Sequence, residues 1–176
     1  MLLLKVLGEK IKILDNFLNE NDFKTIQNTV LGGNFPWFYS PIVVSSDEEY
    51  GLDKFQFFNT LCLKNEIKSD FYNVLDPLIK KINPSYIYRV KVNLGTRTSV
   101  PVVGGMHSDT EFNNTTAIFY LNSNNGYTIF EDGSKVDSVE NRLVMFDSNV
   151  MHSGVSQTDS KIRCIINLNY IGELTN

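Results

Sequence analysis

The chain has 176 residues, which fits one domain with enough apolar surface for a substantial hydrophobic core. Its hydrophobic content of 42% and aromatic content of 12% are those of a globular protein and argue against a disordered one. The net charge of −4 argues against nucleic-acid binding, which normally requires a basic surface.

The cysteine count and the apolar runs bear on the cellular compartment of the protein. Cys62 and Cys164 are too few for a disulfide framework, so we expect a reduced, cytoplasmic protein. The apolar run at the N-terminus is broken by Lys5 and Glu9, and no small-residue cleavage site follows it. No stretch approaches the roughly 20 apolar residues of a membrane helix. We therefore expect a soluble protein without a membrane partner.

The first part of the chain predicts a short strand and then a helix. Residues 11–14 are mostly apolar and predict the strand. Asn21 or Asp22 is a suitable cap for the helix, and the paired glycines at 32–33 would end it. The apolar face of this helix comprises Phe23, Ile26, Val30 and Leu31.

Two further segments separate this helix from a second one. Residues 35–41 are aromatic and contain two prolines, which predicts an extended, packed segment. Residues 45–51 are acidic and polar, which predicts an exposed loop. Over residues 65–82 apolar side chains recur at helical spacing, so we expect an amphipathic helix that lies against a sheet and ends before Pro84.

From residue 86 onward the hydrophobic pattern has a period of two, which is typical of strands. The apolar face of the first strand comprises Tyr86, Tyr88, Val90, Val92 and Leu94, and the opposite face carries Arg89, Lys91 and Asn93. Further strand-like runs are 116–121, 127–130, 143–146, 150–155 and 161–171. Many short strands joined by turns predict a mainly β fold with supporting helices, a double-stranded β-helix or jelly roll. We expect one domain over residues 1–176, with the support in 1–85 and the core in 86–172.

The chain has only two histidines, and both fall in a metal-ligand pattern. His107 and Asp109 are two positions apart, so on a strand both side chains leave the same face. His152, from a distant strand, would complete a set of two imidazoles and one carboxylate. That set with open positions is the arrangement of non-haem Fe(II) oxygenases. Each histidine alone is as well explained as a core or surface residue, but the pair in this pattern favours metal ligands.

A cation follows the second histidine at a fixed distance. Arg163 lies eleven residues beyond His152, where a guanidinium suits the far carboxylate of a 2-oxo acid. Alternation along the last strand puts Arg163 on one face with Asn167 and Asn169. That face is either exposed to solvent or part of a polar barrel interior. The hairpin that Arg163 shares with His152 favours the interior.

Four blocks of sequence, in order, resemble the Fe(II)/2-oxoglutarate-dependent oxygenases, particularly their prolyl-4-hydroxylase-like branch. The blocks are His107-x-Asp109, residues 117–122, Gly126-x-Thr128-x-Phe130, and residues 141–146 leading to His152 and Arg163. Each block alone is weak, but their order and spacing together are specific. The N-terminal part is similar to small members of this family from phages and bacteria, which implies a phage-encoded protein acting in a host cell.

The resemblance implies roles for individual residues. It implies that His107, Asp109 and His152 bind Fe(II). The pocket for the co-substrate 2-oxoglutarate would comprise Arg163 and Tyr120 on the distal carboxylate, Thr128 along the wall, and Asn93 near a position where relatives often have a tyrosine.

Substrate contacts are the least constrained part of the site. The candidates are Arg89, Lys91, Glu111 and Asn169. Arg89 and Lys91 are equally explained as a charged strand face, and Glu111 as part of a turn. Asn169 stands where some relatives have a large aromatic residue, which implies a roomier or more polar substrate pocket.

The implied function is a dioxygenase that uses O2 and 2-oxoglutarate to hydroxylate a substrate, with release of succinate and CO2. Halogenating members of the family lack the metal carboxylate, so the presence of Asp109 favours hydroxylation. Peptidyl proline, an amino acid and another small metabolite all remain open as substrates, and a nucleic acid is disfavoured by the acidic charge. Two alternatives remain: a metal hydrolase or isomerase on the same ligands, and a non-catalytic jelly-roll binding module.

Overall fold

The computed structural model describes residues 3–7, 11–43 and 55–172, the first of these ranges as backbone only. The acidic segment 45–51 therefore lies outside the described residues. No helix in the described ranges is long and apolar enough to cross a bilayer.

The described residues form many strands and a few short helices, and all the helices lie in the first half of the chain. The first half contains β1 (Leu3–Leu7), β2 (Ile11–Asp15), α1 (Glu20–Val30), β3 (Phe38–Ser40), β4 (Gln56–Leu63), β5 (Glu66–Ile67), a 3₁₀ helix (Asp70–Leu75) and α2 (Asp76–Ile82). The second half contains β6 (Tyr86–Thr96), β7 (Thr115–Tyr120), β8 (Tyr127–Phe130), β9 (Lys135–Asp137), β10 (Leu143–Asp147), β11 (His152–Val155) and β12 (Ile162–Ile171).

The strands form two antiparallel sheets. The larger sheet has the order β1-β2-β10-β7-β12-β6-β4-β3, with β5 paired to β4, and the smaller has the order β11-β8-β9. This confirms the predicted jelly roll with supporting helices. The short strand β9 was not predicted, because its three residues alternate too briefly to show a period.

Each face of the larger sheet carries its own apolar core. On one face the helices cover the sheet, and the rings of Phe17 and Phe23 meet the ring of Phe119 edge-on at 6.4 and 6.0 Å between centroids. On the other face a smaller cluster around Phe130 and Phe146 fills one end of the space between the sheets. The rest of that space is an open cavity.

The first helix begins slightly earlier than the sequence indicated. Asn19 is the N-terminal cap, in place of Asn21 or Asp22, and its side chain accepts a hydrogen bond from the backbone of Asp22 at 3.0 Å. The Asp22 carboxylate accepts in return from the Asn19 amide at 2.7 Å. The two candidates lie inside the first turn, where an acidic residue is favourable.

The helix predicted over residues 65–82 is wrong in its first half. Lys64 and Asn65 have positive φ angles of 52° and 60°, so the chain turns there into the two-residue strand β5. Ile67 is consequently 59% exposed. Ser69 then caps the 3₁₀ helix, and α2 ends where Asn83 adopts a left-handed conformation.

The strand β6 contains a bulge that changes the predicted apolar face. Arg89 pairs with Asn169, whereas Ile87 pairs with Tyr170, which leaves Tyr88 as the extra residue. Ile87 therefore takes the core position. Tyr88 instead packs its ring edge-on against Phe112, with 5.0 Å between centroids.

Candidate active site

The cavity between the sheets has a volume of about 700 Å³. Its walls come from β6 and β12 of the larger sheet, from β11 of the smaller sheet and from the connection between β6 and β7. That connection lies beside β11, because the backbones of Thr98, Val102 and Gly104 form hydrogen bonds with residues 154–157.

The two histidines lie side by side on neighbouring segments. The backbone amides of His107 and His152 each donate to the other residue's carbonyl at 3.0 Å, and the ring centroids are 4.7 Å apart. The Nδ1 atoms lie 3.0 Å from the carbonyl of Gly105 and 2.9 Å from that of Val150. A carbonyl only accepts, so Nδ1 carries a proton in both rings, and in the neutral form of each ring Nε2 keeps a lone pair for a metal.

Asp109 completes the metal-ligand set. Its side chain is 3% exposed, and its Oδ2 lies 3.9 Å from Nε2 of His152. One ligand atom from each of His107, Asp109 and His152 lies within 4.8 Å of the others. Two imidazole nitrogens and a carboxylate oxygen thus converge on one side of the cavity, a donor set that suits Fe(II) and leaves open positions.

Four side chains donate hydrogen bonds to the Asp109 carboxylate. Arg89 donates to Oδ1 at 3.0 Å, and Thr116 donates to Oδ2 at 2.8 Å. The amides of Asn167 and Asn169 donate to the same Oδ2 at 3.2 and 3.1 Å. These donors come from β6, β7 and β12, so three neighbouring strands fix the carboxylate.

The ionisation of these ligands suits metal binding. Burial alone would raise the pKa of Asp109, but the nearby His152 and Arg89 and the donated hydrogen bonds outweigh it and lower the pKa below its usual range. Burial lowers the pKa of His152, against the opposing influence of Asp109. The carboxylate is therefore ionised and the imidazole neutral near pH 7, as metal ligands must be.

A second polar cluster surrounds Arg163. Its Nη2 donates to Oγ1 of Thr128 at 3.2 Å, and its Nε donates to Oγ of Ser138 at 2.9 Å. The Tyr120 hydroxyl lies 2.7 Å from the same Thr128 oxygen, and the guanidinium lies 5.6 Å from the centre of the Tyr120 ring. Burial raises the pKa of Tyr120, so the phenol stays protonated and can donate.

Gly126 is required by the close packing around Arg163. A Cβ at this position would lie 2.8 Å from the Val155 carbonyl and 3.0 Å from Cδ of Arg163. Any side chain here would displace the guanidinium or the backbone of β11.

The remaining candidates fall in different places. Asn93, Arg89 and Lys91 line the cavity. Asn169 is fully buried behind Asp109, and it does not line the cavity. Glu111 is exposed and lies outside the cavity wall.

Sequence reasoning missed Thr116 and Ser138 as contributors to the site, and it placed Asn167 on the inward face of the last strand without giving it a role. Thr116 and Asn167 hold Asp109, and Ser138 holds Arg163. A signal was available for Thr116 and Asn167, since polar residues at inward positions of strands β7 and β12 are unusual unless they face a site. Ser138 follows the unpredicted strand β9, so nothing in the sequence indicated its position.

Comparison with known proteins gives a structural likeness without a sequence match. No family model and no curated protein matches the chain. Among solved structures, a viral collagen prolyl hydroxylase from Paramecium bursaria Chlorella virus-1, in its 2OG complex, aligns with a TM-score of 0.63 and 14% identity. That alignment covers 92% of this chain and 96% of the viral chain.

Two further structures show how widely this likeness extends. A prolyl hydroxylase from Trichoplax adhaerens, in complex with a hypoxia-inducible-factor peptide, has a TM-score of 0.63 and 14% identity, over 93% of this chain and 84% of that one. The non-haem α-ketoglutarate-dependent epimerase of nogalamycin biosynthesis has a TM-score of 0.65 and 12% identity, over 92% of this chain and 77% of that one. The chain therefore has the jelly-roll fold of the prolyl hydroxylases and other 2-oxoglutarate- and Fe(II)-dependent oxygenases.

Proposed function

We propose that this protein is an Fe(II)- and 2-oxoglutarate-dependent dioxygenase that hydroxylates an amino acid, peptide or small metabolite. One observation carries the proposal: the convergent ligands His107, Asp109 and His152 share a cavity with the cluster around Arg163. The first group suits Fe(II), and the second suits a carboxylate.

The residues present fit both groups. The Nε2 atoms of the two histidines and the ionised Asp109 would hold the iron, and Arg163 and Thr128 would bind the distal carboxylate of 2-oxoglutarate. Tyr120, which is fully buried and does not line the cavity, would support them through its hydrogen bond with Thr128. When bound, iron and 2-oxoglutarate supply the oxidative chemistry, in which 2-oxoglutarate and O2 yield succinate, CO2 and a hydroxylated substrate.

The protein's own contribution is orientation. The hydrogen bonds that Asp109 receives restrict its rotation, so one carboxylate geometry faces the metal position. The contacts of Arg163 with Thr128 and Ser138 aim the guanidinium into the cavity. A bidentate, fixed cation then selects a dicarboxylate of one length.

A metal hydrolase on the same ligands is less well supported. Such an enzyme needs the metal ligands and a water, but it has no use for a half-buried Arg163 hydrogen-bonded to Thr128 beside a phenol. The cluster around Arg163 also argues against a non-catalytic binding module, because such a module would need neither the metal-binding residues nor a pocket for 2-oxoglutarate.

The direct test is anaerobic addition of Fe(II) and 2-oxoglutarate to the purified protein. We expect a weak visible charge-transfer band in the wild type and none in Asp109→Ala. Asp147→Asn removes an exposed carboxylate at the end of β10 and serves as the matched control, with the band retained. An equally strong band in Asp109→Ala would refute the ligand assignment.

A second measurement separates the oxygenase from the hydrolase. On admission of O2 we expect succinate to form in the wild type even without substrate. In Arg163→Met the concentration of 2-oxoglutarate at half-maximal rate should rise about a hundredfold, because a half-buried charge partner is lost. Absence of O2-dependent succinate in a protein that shows the band would exclude the dioxygenase.

A further inference from the structure

Two cations besides Arg163 line the cavity. Arg89 and Lys91 are two positions apart on β6, so both side chains leave the same face of the strand. The chain as a whole has a net charge of −4, so this local excess of positive charge runs against its overall charge.

A count of charges shows that this excess remains when the site is filled. The described ionised groups of the wall are three cations, Arg89, Lys91 and Arg163, and one carboxylate, Asp109. Bound Fe(II) would be balanced by Asp109 and one carboxylate of 2-oxoglutarate, and Arg163 by the other carboxylate. The filled site would keep an excess of two positive charges, because Arg89 pairs with the same Asp109 carboxylate that would bind the metal. Lys91 would face the substrate space without a carboxylate partner among the described residues.

The surroundings of Lys91 do not explain it as a structural ion pair. Its Nζ lies 4.7 Å from the centre of the Phe58 ring, and no described carboxylate lies within 4.0 Å of it. Burial first, and the neighbouring Arg89 second, lower the pKa of Lys91 to about 8. A cation held in such a place destabilises the fold, and that cost is typical of a binding site.

Acceptor groups lie next to these cations. Asn167 stands directly opposite Lys91 in the register of β6 and β12, lines the cavity and is 7% exposed. Its Nδ2 donates to Asp109, and because a carboxylate only accepts, the orientation of the amide is fixed. Its buried Oδ1, like that of Asn93, receives no hydrogen bond from any described residue. A ligand that donates a hydrogen bond would satisfy it.

We propose that the substrate is a small molecule with an anionic group, a carboxylate or a phosphate, that binds Arg89 and Lys91 and donates a hydrogen bond to Asn167. A free α-amino acid presents this combination on adjacent atoms. A prolyl residue inside a peptide does not, since its backbone is neutral and its nitrogen has no proton. This inference rests on the proposed dioxygenase function.

The experiment uses the full chain loaded anaerobically with Fe(II) and 2-oxoglutarate. The probes are the twenty α-amino acids, their α-amides, and the common nucleoside 5′-monophosphates with their parent nucleosides. Two readouts are recorded: a change in the charge-transfer band before O2 is admitted, and the rate of succinate formation afterwards. The band reports binding independently of turnover.

We expect at least one acid to change the charge-transfer band and its neutral counterpart to leave the band unchanged. If amino acids change the band and their amides do not, the anionic group is a carboxylate. If monophosphates change it and their nucleosides do not, the group is a phosphate. With the active probe, Lys91→Met should raise the KM about tenfold or more, and Lys91→Arg should restore most of the affinity. Lys68→Met removes an exposed lysine that pairs with Glu66 and should leave the KM unchanged.

The failures of the two proposals are distinguishable. Loss of the band in the wild type, before any probe is added, refutes the dioxygenase. A normal band that no acid alters, or that amides and nucleosides alter as strongly as the acids, refutes the anionic substrate alone. An unchanged KM in Lys91→Met refutes the assignment of Lys91.

Discussion

Asp109 shows how far a single residue depends on partners distant in sequence. Its carboxylate receives four side-chain hydrogen bonds from three strands, and the surrounding atoms exclude most of the solvent. The convergence of His107, Asp109 and His152 was predictable from their pattern. The strand expected through His107 and Asp109 does not form, because His107 makes an isolated bridge to His152 and Asp109 lies in a bend. The partners of Asp109 were not predictable, because which residues meet across strands depends on a register that one sequence does not reveal.

The hydrogen bond from Thr116 should matter for metal affinity more than for the fold. Thr116→Val keeps the shape of the side chain and removes the donor to Asp109, and loss of such an outer partner typically weakens metal binding 10–100-fold. We expect that loss in the dissociation constant for Fe(II), measured anaerobically by calorimetry. Thr115→Val changes the neighbouring residue on the opposite face of β7 and should leave the constant within about twofold. Equal effects of the two variants would contradict a specific role for Thr116.

Lys91 should lower stability in a pH-dependent way. Its pKa of about 8 in the folded protein lies below that of an unfolded lysine, so the destabilisation is complete below pH 8 and disappears as the pH rises toward the unfolded value. Direct conversion of the shift gives about 3 kcal/mol, which solvent screening of a half-buried side chain reduces to about 1–2 kcal/mol. We expect Lys91→Met to raise the free energy of unfolding by that amount at pH 7.

The measurement for Lys91 is urea denaturation at several pH values. The advantage of Lys91→Met over the wild type should shrink between pH 8 and pH 10. Lys68→Met, at an exposed site, should show no such change. A constant difference across this range would mean that the substitution acts through packing and not through charge.

Among the elements, β12 has the most central position. It lies between β6 and β7 in the larger sheet, and residues 164–170 are buried. In contrast, β1 and β3 are the two edge strands of the same sheet. The backbone amides of β12 point alternately to β6 and to β7, so exchange of the whole strand requires both neighbours to separate from it.

Hydrogen exchange should therefore rank the strands by position. We expect the amides of β12 to exchange at the rate of global unfolding and those of β3 to exchange orders of magnitude faster, through local opening. Mass spectrometry of peptic fragments measures this difference. Comparable protection of β3 and β12 would show that the edge strand is covered in solution.

The prediction of elements succeeded where one period persisted. The strands after residue 86 were recognisable except for β9, and the long strands β6 and β12 were the clearest, because alternation over ten or more residues leaves little ambiguity. The segment 65–82 failed because a turn, a 3₁₀ helix and a short α-helix all place apolar residues three or four apart. The bulge at Tyr88 was also unpredictable, since it arises from a mismatch with β12 and not from local preference.

At the scale of the whole molecule, Asn141 joins the N-terminal part to the jelly roll. Its side chain accepts from the Leu18 amide at 2.9 Å and donates to the Leu18 carbonyl at 2.8 Å, and its backbone carbonyl accepts from Phe17 at 2.8 Å. Its φ of 59° is a left-handed conformation that asparagine tolerates. The main core cluster also runs from Leu14 to Tyr170 across both parts.

We therefore predict that residues 1–85 and 86–172 unfold together as one domain. Circular dichroism and the fluorescence of Trp37, the single tryptophan, should report the same thermal transition. Asn141→Ala should lower the free energy of unfolding by about 2–4 kcal/mol, from two lost hydrogen bonds and an unfavourable φ. Asn141→Gly loses the same bonds but relieves the backbone, so it should cost about 1 kcal/mol less. Two separate transitions would refute the single domain.

The direct bridge between His107 and His152 gives a metal at this site a second effect. The two residues are 45 positions apart in the chain, so an ion held by both would act as a cross-link that closes a long loop, much as a disulfide does. The fraction of the protein that carries metal would then determine its lifetime as well as its activity. A metal that binds the native state and not the unfolded state opposes unfolding and proteolysis. In a cell short of iron, the metal-free protein would therefore be degraded faster than the metal-bound protein.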